Sequence, residues 1–326
     1  MDKPRRADTT PAPAQSVGAG PSVLTAVRRR YSLLTTGDKI VLGLMVGIPT
    51  ILDIVFIWLP TVASIGLSFT DWRGVGAITA QNWVGLKNYI FLFTQYIFFW
   101  PALSHNLIWL LFFVCIATPL GIFLAVLLDK DIRGSAIYQN VFFLPVVLSL
   151  AVVGFIWELQ YAPGSSGLID GILGRTSQTN AIDWLGNPSI NLWAVLVAAS
   201  WRHVGYIMIL YLAGLKSVDP TLREAAAIDG ANERQTFFHV IFPVMAPINT
   251  VIVVVTVIES LRAFDIAYII NHGKNGLELL STLITNNSIS EANLIGFGSS
   301  IAVVLLVISL VPIIVYLSRV MREQAS

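Results

Sequence analysis

Six stretches of the chain, about residues 40–69, 103–128, 137–159, 190–214, 246–270 and 296–318, stay apolar for long enough to cross a bilayer; a helix needs about 20 residues to do so. In hydrocarbon every backbone amide must find its partner inside the segment, which leaves helix as the only spanning structure for runs of this kind. The chain has 326 residues, 55% of them hydrophobic and 12% charged, where an ordinary soluble domain carries roughly a quarter charged residues. The prediction is an all-α integral membrane protein with six transmembrane helices, solvated by lipid.

The charges orient the spans. With both termini in the cytosol, fourteen Lys and Arg residues fall in the N-terminal stretch, the second and fourth connections and the C-terminal end, against Arg73, Lys87, Arg175 and Lys274 outside. That asymmetry is the positive-inside pattern. The net charge of +1 gives no basic field of the kind that binds nucleic acid. Trp72, Trp83, Tyr89, Tyr96 and Trp100 in the first external connection suit an aromatic belt at headgroup level, with a ligand site as the alternative.

Residues 1–36, rich in Pro, Ala, Ser, Thr and Arg without periodicity, read as a disordered cytosolic tail. The apolar run after them is too long for a cleavable secretory signal. A transmembrane domain over 37–319 and a cytosolic tail over 320–326 complete the expected organisation. Cys115, the single cysteine, cannot form an intrachain disulfide and reads as a packing residue.

One cytosolic connection, residues 216–243 between spans four and five, differs from the others. Asp219 and Pro220 supply an N-cap and a first-turn proline. Good helix formers then run from Leu222 to Ala227, and Gly230 stops them. Asn232 begins a second helix with Gln235 at the capping-box position. Phe237, Phe238 and Ile241 put an apolar stripe on it, Pro243 closes it, and Pro247 opens the next span. This helix-turn-helix is either a rigid knob for docking into a partner's groove, with Arg223 and Glu224 pairing across the contact, or an ordinary surface hairpin.

The run Glu224, Ala225, Ala226, three residues, Gly230, nine residues, then Val240, Ile241, Phe242 and Pro243 resembles the EAA loop of ABC importer permeases, whose fold is termed MetI-like. Val240 and Phe242 stand where Ile and Leu are usual. Further segments, among them Leu67 to Trp72, Gly85 to Tyr89, Phe143-Leu144-Pro145, Trp184-Leu185-Gly186 and Leu212 to Leu215, are similar to the carbohydrate-uptake branch, the maltose and glycerol-phosphate permease type. His272-Gly273-Lys274 replaces the Gly-Gly-Pro turn common after span five.

The resemblance implies a permease subunit in the bacterial plasma (inner) membrane, with Arg223, Glu224, Ala225, Ala226, Asp229, Gly230 and Pro243 coupling it to an ATPase. It also implies the partners: a second, different permease, two copies of an ATP-binding subunit and an extracytoplasmic solute-binding protein. ATP and Mg would sit on the ATPase and no cofactor on this chain. A permease for an oligopeptide or osmolyte is the alternative.

The chain has no Gly-x-x-x-x-Gly-Lys-Ser/Thr loop for ATP phosphates. His105, His203, His239 and His272 are scattered, without other ligands at metal-binding spacing, and no catalytic triad can be assembled on one side of the membrane. The expectation is a transport subunit, with neither catalytic nor metal site. An ion-coupled carrier would show inverted repeats and broken helices, neither evident in the sequence, and a membrane sensor or scaffold would carry a soluble output domain.

Ionisable residues inside spans mark interiors or wet cavities. Asp53 in span one suits pairing with a neighbouring helix or a solute contact. Trp201, Arg202, His203 and Tyr206 in span four could offer rings and donors to a sugar, or tie helices together. Glu259, Arg262 and Asp265 recur every three residues, which on one helix makes them a face able to pair locally or line a pathway.

Overall fold

A computed structural model describes residues 35–130, 132–177, 179–290 and 293–325; the stretch read as an N-terminal tail lies, up to residue 34, outside them. The chain divides into two units, Met1–Thr61 and Val62–Ser326. Helix α1, Thr36–Leu67, begins in the first and ends in the second. Its start is fixed by a capping box in which the Asp38 N–H donates to Thr35 Oγ1 and the Thr35 N–H to Asp38 Oδ2. Asp53 accepts from Trp58 Nε1 on its own helix at 3.1 Å.

The second unit continues with α2 (Lys87–Thr94), α3 (Phe99–Leu128), α4 (Ser135–Val147), α5 (Leu150–Gln160), α6 (Leu168–Ile172) and α7 (Asn191–Ser217). It goes on with α8 (Pro220–Ile228), α9 (Glu233–Val244), α10 (Ala246–Leu261), α11 (Asp265–Asn271), α12 (Leu280–Thr285) and α13 (Ile295–Ala325). Helices α1, α3, α7 and α13 are each long and apolar enough to cross a membrane. Two bent pairs, α4 with α5 at 102° and α9 with α10–α11 at 79°, raise the number to as many as six. No strand occurs among the described residues; Thr70 and Trp83 form one isolated bridge.

Span three is therefore not the straight helix expected over 137–159. Leu148 and Ser149 are extended, and Ser149 caps α5 by accepting from the Val152 N–H. Pro145 lies one turn earlier, where its missing N–H weakens α4. Span five is interrupted after Leu261 and resumes at Asp265. Broken helices are thus present, and their apparent absence does not separate this chain from an ion-coupled carrier.

Three other helices accommodate a proline without breaking. Ile54–Trp58, Phe113–Ala117 and Phe237–Ile241 are wide π-type turns, each ending two residues before a proline, Pro60, Pro119 and Pro243. A proline ring collides with the carbonyl four residues back. The wider turn swings that carbonyl aside while the preceding N–H bonds five residues back, as Thr118 does to Phe113. Pro243 accordingly does not close the second short helix, which runs on to Val244. Cys115 lies in one of these turns and is exposed on the chain surface, so it fills no gap within this chain.

Helix α7 is the least apolar of the four straight spans and the most buried, as expected when polar side chains face the interior and apolar ones face lipid. Its N-terminal half joins Trp109, Phe113 and Ala117 of α3 and Ile266, Ala267 and Ile270 of α11. Its C-terminal half packs with Ala125 and Leu128 of α3, Ile241 of α9, and Met245 and Ile252 beyond it. Gly121 lets the two helices meet, since a Cβ there would lie 2.8 Å from Ile207 Cβ and 2.9 Å from the Val204 carbonyl oxygen. The last helix continues to Ala325, so residues 320–325 of the expected C-terminal tail extend that helix.

Candidate functional site

The connection after α7 is a helix-turn-helix. The Asp219 carboxylate accepts the Thr221 N–H at 2.9 Å, and this bond holds its carboxyl below the usual range. Helix α8 ends in a Schellman motif: Gly230 takes φ +80°, its N–H donates to Ala227 and the Ala231 N–H donates to Ala226. Asn232 and Gln235 then exchange side-chain to backbone bonds of 2.9 Å to start α9. Leu222, Phe237 and Ile241 set this hairpin on the core cluster around the C-terminal half of α7.

Outward from that floor, Glu224, Ala225, Ala227, Ile228, Asp229 and Gly230 are exposed, whereas Ala226 is buried. Arg223 pairs within the chain, its Nη2 2.7 Å from Asp129 Oδ2 at the end of α3, with its side chain 41% exposed. Ile228, passed over in the sequence, is 86% exposed and forms an apolar tip. Lys130 Nζ meets Glu233 Oε2 at 2.5 Å, a second tie between α3 and the hairpin.

A pocket of about 210 Å³ lies between α3, α7, α10 and the break before α11, lined by Trp109, Phe113, Arg202, Glu259, Arg262, Phe264 and Asp265 among others. Four of the expected residues, Arg202, Glu259, Arg262 and Asp265, come together there. They do so differently from the helical repeat: Arg262 is the C-cap of α10 and Asp265 starts α11, so the three no longer share a helical face. Glu259 instead meets α7, its Oε2 in a hydrogen bond of 3.1 Å with His203 Nδ1 and its Oε1 facing Arg202 Nη1 across 3.7 Å. No ion pair joins Arg262 or Asp265 to another described residue.

His203 is buried behind the pocket. Its Nε2 lies 3.1 Å from Thr118 Oγ1, which is 3.0 Å from Thr256 Oγ1, so one polar cluster joins α3, α7 and α10. Trp201 points elsewhere, lining a separate cavity with Trp157 and Gln160, and Tyr206 packs against the cluster around the C-terminal half of α7. Trp109, Thr118 and Thr256 escaped the sequence reading because each is ordinary for an apolar span. Trp109 Nε1 and Arg202 Nε are buried without a hydrogen-bond partner, which leaves donors at the pocket wall unsatisfied.

Several spans packed around a polar pocket, with a rigid capped hairpin projecting on one side, define a multi-pass membrane transport subunit. Residues 117–322 match the family described as "Binding-protein-dependent transport system inner membrane component", and the chain belongs to this family: it is a permease component of an ABC importer.

Among its relatives, the osmoprotective compounds uptake permease protein of Synechocystis sp. is 34% identical over 275 residues, covering 82% of this chain and 94% of that one. The xylose/arabinose import permease protein of Haloferax volcanii is 34% identical over 267 residues, covering 81% and 83%. In fold the chain is similar to a bacterial ABC transporter chain "involved in the import of the acidic polysaccharide alginate", with TM-score 0.73 and 20% identity over 92% of this chain and 98% of that one.

Proposed function

We propose that the chain forms half of the membrane pathway for a sugar or sugar-like solute, handed over by an extracytoplasmic binding protein and driven by two ATP-binding subunits. The second half comes from a different permease. ATP and Mg stay on the ATPase, and both termini lie in the cytosol. The observation that carries this reading is the hairpin: capped at both ends and seated on the core, it presents Glu224, Ala225, Ile228 and Gly230 as one exposed face. Small residues allow close approach to a groove, and Glu224 offers a charge to it.

The pocket supports the solute path. It combines donors from Arg202, Arg262 and Trp109 with the acceptors Glu259 and Asp265 and the Phe264 ring, a mixture suited to hydroxyls and the C–H face of a sugar. At about 210 Å³ it is smaller than the roughly 300–1,000 Å³ usual for a ligand site, which fits a site completed by a second subunit. A small osmolyte is the second reading, favoured by the relative named for osmoprotective compounds.

Glu224→Lys tests the coupling assignment, because it reverses the charge on the docking face. The variant should remain in the membrane and lose both uptake and the co-purifying ATPase. Wild-type uptake with the ATPase retained would exclude this face as the contact.

A further inference from the structure

We infer that Asp129 and Lys130 clamp the hairpin to α3, so that the hairpin and the cytosolic half of that span move as one body. The inference rests on the ATPase-coupling reading above. Two successive residues at the end of α3 reach the two short helices separately: Asp129 pairs with Arg223 of α8 at 2.7 Å and Lys130 with Glu233 of α9 at 2.5 Å. A hairpin tied through one helix can pivot about the tie; one tied through both cannot. Beneath the ties, Leu128, Val218, Leu222, Phe237 and Ile241 share one apolar cluster, which resists sliding while the ion pairs resist rotation.

The same block extends inward. Gly121 brings α3 against Ile207 and the Val204 carbonyl, and Thr118 joins His203 and Thr256 through hydrogen bonds. Immediately beyond Thr118, α3 takes its wide turn at Phe113–Ala117, a place where a helix yields. Force applied at the hairpin therefore reaches residue 118 through a stiff segment, and is delivered beside the Glu259 carboxylate and the pocket. Rigid-body displacement of a packed block against a bistable interface is how such movements are transmitted. Exposed ion pairs add little to folding stability, so the clamp's signature is positional.

The test uses the full complex with its co-purified partners in lipid nanodiscs, with Cys115→Ser removing the native thiol. Spin labels go on Phe123→Cys in α3 and Phe238→Cys in the hairpin, both exposed in the wild-type chain at 56% and 62%, and the distance is read by pulsed electron resonance with and without ATP and vanadate. The expected result is a narrow distribution that does not shift on trapping. With Asp129→Asn and Lys130→Gln added it should broaden and shift on trapping, and the exchanged pair Lys130→Glu with Glu233→Lys should restore the narrow form.

A distance that shifts on trapping with the clamp intact, or one that stays narrow in the clamp variants, would overturn the inference. Should Asp129→Asn be lost from the membrane, Lys130→Gln alone, from the pair with side chains 48% and 82% exposed, is read by the same criterion. Absence of any ATPase from the unsubstituted complex would overturn the coupling reading itself, and that is seen before a clamp variant is made.

Discussion

Nδ1 of His203 on α7 lies 3.1 Å from Oε2 of Glu259 on α10, while the other oxygen of that carboxylate faces Arg202 at 3.7 Å. One acid is therefore shared between an imidazole buried in the helix packing and a guanidinium that lines the pocket. The side that holds the helices together and the side that faces the pocket are two faces of the same residue.

Removing that acid should be felt in both places. Glu259→Ala leaves His203 and Arg202 without their acceptor, and should lower the stability of the solubilised protein by about 1 kcal/mol, the usual scale for a polar contact between spans. Thermal melting in mild detergent reads this loss, and uptake should fall with it. An unchanged melting curve would mean that the contact carries no packing energy.

The exposed tip makes a separate prediction. An apolar side chain such as Ile228, 86% exposed, suits a central contact in a partner's groove, where loss of one anchor weakens binding by about 2 kcal/mol, or roughly thirtyfold. Ile228→Asp should thus lose the ATPase on purification while its amount in the membrane is unchanged. Retention of the ATPase at the wild-type ratio would place the tip outside the contact.

Asp170 organises the loop after α5. Buried in the fold, it accepts the Gly164 N–H at 2.9 Å, the Ile182 N–H at 3.0 Å and Trp184 Nε1 at 3.0 Å. The Gly164 bond foremost, with help from Trp184, Ile182 and the Arg175 charge, holds its carboxyl below the usual range against the cost of burial. A depressed folded-state value means that its stabilisation is complete above the ordinary carboxylate pKa of about 3.9 and is lost as pH falls from there through the lowered value. Hydrogen exchange over residues 161–187 should therefore stay slow from neutrality to about pH 4 and rise below it, and Asp170→Asn should show fast exchange already at neutral pH.

At the α3–α7 contact, even one added methyl is too many. Gly121→Ala places a carbon within 3 Å of both Ile207 Cβ and the Val204 carbonyl, and overpacking of this kind costs about 1–3 kcal/mol. A lowered melting temperature with the helix content preserved is the expected outcome; a wild-type value would show that the two helices separate at no cost.

The spans and the hairpin were legible because their signals are local. Apolar length marks α1, α3 and α7 to within a few residues, and Asp219, Gly230 and Asn232 act where their side chains or φ angles require. What escaped depends on neighbours far along the chain. The bend at Leu148 and Ser149 was hidden inside a continuous apolar run, although Pro145 and the capping hydroxyl of Ser149 were its traces. Glu259, Arg262 and Asp265 look like one helical face until the helix ends at Leu261. Arg223 looked free to cross to a partner because its own partner, Asp129, lies on another span.

The most direct test of the account is uptake by proteoliposomes holding the affinity-purified complex, with ATP enclosed, supplied from outside with its binding protein and a panel of radiolabelled mono- and disaccharides and small osmolytes. The account predicts accumulation of a sugar that requires both ATP and the binding protein. Accumulation driven by an ion gradient in the absence of any ATPase would contradict it.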